Sequence, residues 1–258
     1  MIFAGLGLAR RIEAAEAAVS RGCAEGQPGS AILEIGGGTA VFQGVDSPLS
    51  QVIGLGLAAP PRPSECDEIE EFFHSRGARV TIDLCPLAHP GLLEMLAARG
   101  YRLTEFNNVL VRPLAGLEIT LTRRVRRALP GEADLWSHTV GHGFFEQPEL
   151  TEDEMNVGRA IFAMPGACCD LAASSSGEPA GGGALALCGG LALLFADSTI
   201  PRFRGQGLHR ELIAARLHEA VALGCDLAAA TTLPGSGSQR NYERMGFRVA
   251  YTKATMVK

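Results

Sequence analysis

Apolar positions along the chain fall into two rhythms. From Leu208 they recur at 208, 212, 213, 217, 220 and 221, which traces one face of a helix, and the run closes at Gly224. Helical spacing also marks "EADLWSHTVGHGFF" and "TEDEMNVGRAIFAM", the second opened by a Thr151–Glu154 capping box. The short continuous runs "ACCDLAAS", "GGALALCGGLALLFADSTI", "CDLAAATTL" and "RVAYTKATMVK" read as strands, and "LEITLTRRV" (117–125) as the first of them. A short helix, "SGSQRNYERMGF", ends at Gly246.

The first half repeats the later part of this order. "SQVIGLGLAAP" reads as strand, "ECDEIEEFFHSRG" as helix and "ARVTIDLCP" as strand. "PGLLEMLAARGY" then reads as a short helix and "RLTEFNNVLVRPL" as a final strand. With Gly100–Tyr101 set against Gly246–Phe247, the strand–helix–strand–helix–strand orders coincide, as after a duplication. The expectation is an α+β protein of two halves, 1–116 and 117–258, each a mixed, mostly antiparallel sheet flanked by helices.

Composition narrows the class. The chain has 258 residues, 47% hydrophobic and 20% charged, enough for two globular domains with real cores. A net charge of −5 argues against a general nucleic-acid binder. No basic leader precedes the first apolar run, and no apolar run reaches the roughly 18 residues of a membrane span. Seven cysteines, at 23, 66, 85, 168, 169, 188 and 225, show no CxxC spacing, so neither a disulfide framework nor a zinc site is expected. The chain reads as cytoplasmic, with no membrane partner.

One stretch gathers chemistry. In "LLFADSTIPRFRGQGLHRELIAARL", a strand gives way to R-x-x-G-x-G and then to a helix, with Arg202, Arg204, His209 and Arg210 crowding the helix start. Basic side chains at that already positive end need an anion among them. Glycines allow close backbone approach, and loop and helix N–H groups converge on one point, so the device suits phosphate. No GxxxxGK[ST] run exists for a nucleotide P-loop. "GLGLAA" at 54–59 matches a dinucleotide fingerprint, but Pro60, Pro61 and Pro63 follow where that fold needs a helix. "GLGLAR" at 5–10 has no strand before it.

"TIPRFRGQGLHREL" resembles the acetyl-CoA signature of the GCN5-related N-acetyltransferase (GNAT) family, Q/R-x-x-G-x-G/A between strand and helix. "NYERMGF" is similar to the family's later segment, where a Tyr precedes Gly-Phe by four residues, as Tyr242 does. The resemblance covers roughly 118–258 and implies two GNAT-like halves, with acetyl-CoA as co-substrate and no metal. It implies that main-chain groups of Asp197, Ser198 and Thr199 run beside the pantetheine arm. Arg202, Arg204, Gly205, Gln206, Gly207, Leu208 and His209 would then cradle the pyrophosphate, with Asn241 nearby. Tyr242 would protonate the leaving thiolate after an amine, from a small molecule or a peptide, attacks the thioester directly. Asp197 and Asp170 are candidate bases, and a water chain serves equally well. Family members often carry an apolar residue where Asp197 stands and an Asn where this chain has Gly235.

The first half lacks the cradle and has Leu96 where the second has Tyr242, so it is expected to be degenerate and to shape the acceptor site or a homodimer. The alternative to an N-acyltransferase is a non-catalytic acyl-CoA-binding sensor or scaffold. His138 and His142 have the spacing of two metal ligands but no third, and "RRVRR" (123–127) reads as a solvated strand end.

Overall fold

The computed structural model describes residues 4–121 and 124–258. In chain order the elements are α1 (Leu6–Ala24), β1 (Ala31–Ile35), β2 (Gly38–Phe42), β3 (Gln51–Ile53), α2 (Pro63–His74), β4 (Thr81–Leu84), α3 (Pro90–Ala98) and β5 (Arg102–Pro113). There follow β6 (Val125–Arg127), α4 (Ala133–Phe145), α5 (Glu152–Ala163), β7 (Cys168–Ala173), β8 (Pro179–Cys188) and β9 (Leu191–Thr199). The last four are α6 (Leu208–Ala222), β10 (Leu227–Thr232), α7 (Gly237–Arg244) and β11 (Arg248–Val257).

The chain divides into two compact units, residues 1–109 with 249–258, and residues 110–248. The expected boundary at 116/117 therefore falls at 109/110, and the last strand groups with the first unit. The physical reason is strand pairing: β11 runs antiparallel to β4, from Ala254 opposite Leu84 to Val257 opposite Thr81. The end of β5, from Leu110, falls in turn within the second unit.

Each unit has the expected mixed, mostly antiparallel sheet with flanking helices. In the first unit the order is β1-β2-β3-β4-β11-β5, with β3 and β4 parallel. In the second it is β10-β9-β8-β7-β6, with β9 and β10 parallel. The parallel pairs are joined by α2 and by α6, and α3 and α7 follow, so β3-α2-β4-α3-β5 and β9-α6-β10-α7-β11 share one order.

Four elements differ from the sequence reading. Helix α1 and the β1–β2 hairpin were not anticipated, although "AILEIGGGTAVF" carries two apolar runs about a glycine turn. Gly36 and Gly37 both have positive φ there, 60° and 75°, as a tight hairpin turn demands. The strand expected over 117–125 shares only Val125 with the observed β6 (Val125–Arg127); residues 117–121 are irregular, and 122 and 123 lie outside the described residues.

A buried charge cluster sits in the first unit. Lys253, 1% exposed, faces Glu13 at 3.2 Å and Asp83 at 4.0 Å, and pairs closely with Glu16. Tyr251 donates its hydroxyl to Glu13 at 2.8 Å. Burial, opposed by Lys253 and reinforced by Glu16, pushes the Glu13 carboxyl up from 4.5 to about 7. A carboxyl whose pKa rises on folding takes up a proton as the chain folds. Its contribution to stability is thus full below its unfolded pKa and is lost as pH rises through the folded one. Glu13→Gln keeps an acceptor for Tyr251 and removes the titration. Calorimetry is expected to show the variant's Tm gaining on the parent's by roughly 2–4 °C or more between about pH 5 and pH 8, the equivalent of about 1 kcal/mol. A Tm difference that stays flat with pH would show that Glu13 titrates like an exposed carboxyl.

Candidate active site

The second unit's site begins with a fault in the β8–β9 ladder. Ala184 lies opposite Phe195 and Gly182 opposite Ser198, so Ala196 and Asp197 together face the single residue Gly183. Ala196 takes the extra turn at φ 52°. Such a bulge bends its strand and re-aims a side chain. The parallel ladder with β10 runs from Leu191–Leu227 to Leu194–Ala230, while β9 continues to Thr199. The two strands part there. A cleft of about 700 Å³ is lined by Asp197, Ser198 and Thr199, the start of α6 and residues of α7.

At the bulge, Asp197 turns inward. Its Oδ1 accepts from Arg216, which is wholly buried on the apolar face of α6 beside Leu212, Ile213 and Leu217. Its Oδ2 accepts from the Tyr242 hydroxyl. Arg216 also donates to the carbonyl of Ala184 at 3.0 Å and to that of Leu212 at 3.0 Å, which leaves the guanidinium well satisfied. Only glycine fits at 183: a Cβ there would lie 2.7 Å from Arg216 Nη1 and 2.8 Å from Asp197 Oδ1. Burial works to raise the Asp197 carboxyl, but Arg216 and His209 outweigh it and hold it well below the usual carboxylate range.

Asp197 is one of the two candidate bases. A carboxylate so stabilised, with both oxygens engaged, is a weak proton acceptor. Asp170, the other candidate, is lifted by burial, against Arg127 and Arg216, to about 6, but it does not line the cleft. Tyr242 is 1% exposed, does not line the cleft, and stacks edge-on against His209 and Phe247. Burial and the Asp197 charge push its phenol well above the ordinary tyrosine range, so it keeps its proton.

The loop after β9 has the form that phosphate binding requires. Gly205 and Gly207 take φ of 79° and 83°, and Gly207 is the N-cap of α6 with no side chain capping the helix. The N–H groups of its first turn and the helix dipole therefore face the cleft with no side-chain cap, and the acidic residue of that turn, Glu211, pairs with Arg124. Of the residues expected to bind, Asp197, Ser198, Thr199, Arg204, Gly205, Gly207, Leu208, His209 and Asn241 all line the cleft. Asn241 meets His209 Nδ1 at 3.1 Å, and His209 Nε2 stands 3.6 Å from Asp197 Oδ1. The buried hydroxyls of Ser198 and Thr199 have no hydrogen-bond partner among the described residues.

Three expected contributors stand elsewhere or are already engaged. Arg202 points away, its guanidinium 4.6 Å over the Phe203 ring and 3.3 Å from Glu178. Gln206 does not line the cleft, and its carbonyl accepts from Arg124 at 3.2 Å. Arg204 lines the cleft and also donates to Glu146 at 2.6 Å, the Gly143 carbonyl at 2.9 Å and the Thr199 carbonyl at 3.1 Å. It ties the strand end to α4. Arg240 and Arg244, missed from sequence, line the cleft instead. Their four-residue spacing on "SQRNYER" was the available signal. His138 and His142 lie with ring centroids 6.1 Å apart, and no group of three possible metal ligands exists among the described residues. Nor is any described helix long and apolar enough to cross a membrane.

A bulged strand, a splayed parallel pair and an uncapped helix N-terminus meet at the opening of the second unit's sheet. Residues 135–247 match the model of the Acetyltransferase (GNAT) family. No curated protein matches the chain significantly in sequence. Its structure resembles a GCN5-related N-acetyltransferase from Kribbella flavida at a TM-score of 0.70 and 19% identity, covering 97% of this chain and 95% of that one. It also resembles a tandem GNAT protein from the clavulanic acid biosynthesis pathway, at a TM-score of 0.64 and 16% identity, covering 98% and 92%. A GCN5-related N-acetyltransferase from Sphaerobacter thermophilus gives 0.59 and 14%, covering 98% and 93%. At these identities the likeness is one of fold.

The Asp197–Arg216 pair has a measurable consequence. Removing one partner of a buried ion pair costs about 3–5 kcal/mol, because the other charge is left uncompensated. Arg216→Met is expected to lose that much in urea unfolding. The double variant Arg216→Met, Asp197→Asn should recover part of the loss, since no buried charge is left alone. Equal losses in single and double variants would mean that packing around Arg216, not its charge, carries the stability.

Proposed function

We propose that the second unit is an acyl-CoA-dependent N-acyltransferase that moves an acetyl group from acetyl-CoA to an amine of a small molecule or a peptide. The observation that carries this is the uncapped, glycine-preceded N-terminus of α6, facing a cleft between strands that have parted. The residues present fit the ligand. Loop amides and the α6 dipole suit a diphosphate. The unpartnered Ser198 and Thr199 hydroxyls and the free edge of β9 offer donors and acceptors to the amides of a pantetheine arm.

Acetyl-CoA supplies an activated acyl thioester. In the proposed reaction the neutral amine attacks the thioester carbonyl, the C–N bond forms, the C–S bond breaks and the thiolate leaves needing a proton. The proton lost by the amine passes to solvent, since Asp197 is held ionised and engaged. Tyr242, kept protonated by its surroundings, is the proposed donor to sulfur, exchanging Asp197 for the thiolate as acceptor and regaining a proton from solvent before the next turnover. Asp197 then acts by holding Arg216, Tyr242 and His209 in place.

The first unit is proposed to bind no CoA. At the matching helix, α2, the place of an anion is taken by Glu65. Its carboxylate accepts from the Arg62 main-chain N–H at 2.9 Å and from the Arg62 guanidinium at 2.7 Å, and the residue is 5% exposed. Calorimetric titration with acetyl-CoA is therefore expected to saturate at one equivalent per chain. Thiol release against a panel of amines should then depend on the amine. Binding without turnover against every amine would favour the sensor or scaffold reading, and two equivalents would overturn the assignment of the first unit as degenerate.

Tyr242→Phe separates donor from packing residue. CoA affinity should persist while turnover falls about 100- to 10,000-fold, the usual worth of general acid assistance. A loss of only a few-fold, with the chemical step limiting, would leave Tyr242 as the residue that orients Asp197.

A further inference from the structure

An acidic chain concentrates unpaired positive charge on one wall of its cleft. The cleft's two carboxylates are both spent, Glu146 on Arg204 and Asp197 on Arg216. Arg202 of the glycine motif is turned toward Glu178. Arg210, Arg240 and Arg244 are left: all three are exposed and line the cleft, and among the described residues none forms an ion pair. Arg210 sits in the first turn of α6, next to the amides and the dipole. Arg240 and Arg244 belong to α7 and are four residues apart, hence on one face and about 6 Å apart along the axis. Their neighbour Glu243 accepts from Gln239 at 2.9 Å.

Two anion-seeking features thus share one cleft. The α6 N-terminus needs one anion, and two adjacent guanidinium groups on a second helix are far more than that anion requires. Paired arginines are the typical complement of a phosphomonoester, whose three terminal oxygens accept bidentate hydrogen bonds and whose charge near pH 7 is about −1.5 to −2. Resting on the reading of the cleft as an acyl-CoA site, we propose that Arg240 and Arg244 form a second anionic subsite, for the 3′-phosphate of the ligand's ribose. The subsite makes the protein selective for 3′-phosphorylated acyl carriers over those that end in a plain diphosphate nucleoside. Arg210 is left to support the diphosphate at α6.

Titration of the full chain with CoA and with 3′-dephospho-CoA tests this. The parent protein should bind CoA at least about tenfold more tightly, a modest demand on two charge-assisted contacts. The double variant Arg240→Gln, Arg244→Gln, whose side chains are exposed and whose folding is checked by circular dichroism, should bind both ligands alike, at the parent's affinity for dephospho-CoA. Equal affinities in the parent, or discrimination that survives in the double variant, would overturn the subsite and leave the acyl-CoA reading standing. Failure of the parent to bind either ligand would overturn both.

Discussion

The buried ion pair between Asp197 and Arg216 is the constraint on which the second unit's site depends. An unpaired charge in such a place would cost several kcal/mol, so each partner requires the other and both require room. Room comes from Gly183, where any Cβ would collide with both groups, and from the bulge that gives β9 one residue more than β8. The same bulge carries the strand end away from β10. The electrostatic anchor and the opening of the sheet are thus one local event. With Asp197 fixed, the Tyr242 hydroxyl and the His209 ring have a partner to settle against, and Asn241 holds the ring from its other side.

Arg204 extends this logic outward. The glycine motif places it where a phosphate ligand would be expected, and there it bonds to Glu146, Gly143 and Thr199. It fixes the end of β9 against the C-terminal turn of α4. At Gly143 a Cβ would meet Ser198 Oγ and lie 2.8 Å from the Thr199 carbonyl carbon. Helix and strand can approach this closely only without a side chain, and Arg204 ties them together at that point. Preorganisation of the loop is what these bonds supply.

Much of this was legible in the sequence because it is local. The glycine loop, α6 closed at Gly224, the Thr151–Glu154 box and the order of the second half rest on contacts within a few residues. What was not legible is long-range. Asp197 in an apolar run and Arg216 on an apolar helix face are each anomalous alone, and their pairing across 19 residues explains both. The bulge that joins them depends on register with β8, which no periodicity in β9 reveals. The placing of β11 beside β4 is likewise a pairing between distant strands, and it moved the unit boundary from 116/117 to 109/110. Helix α1 was missed because eight of its residues are alanine or glycine, which give a weak apolar stripe.

The two halves share an order of elements but differ at the two helix starts that matter most. Helix α6 begins after glycine, with positive φ at 205 and 207 and no side chain on its first amides. Helix α2 begins with Pro63, which has no N–H to give, and Glu65 closes back on the main-chain N–H and guanidinium of Arg62. A helix N-terminus is an anion site only while its own side chains leave it unsatisfied. An intramolecular carboxylate sits at effectively high concentration, so a soluble anion competes poorly with it. In the first half the helix start supplies its own anion and turns the motif into a stabilising cap. In the second that stabilisation is forgone, and the unsatisfied amides are what a ligand would bind.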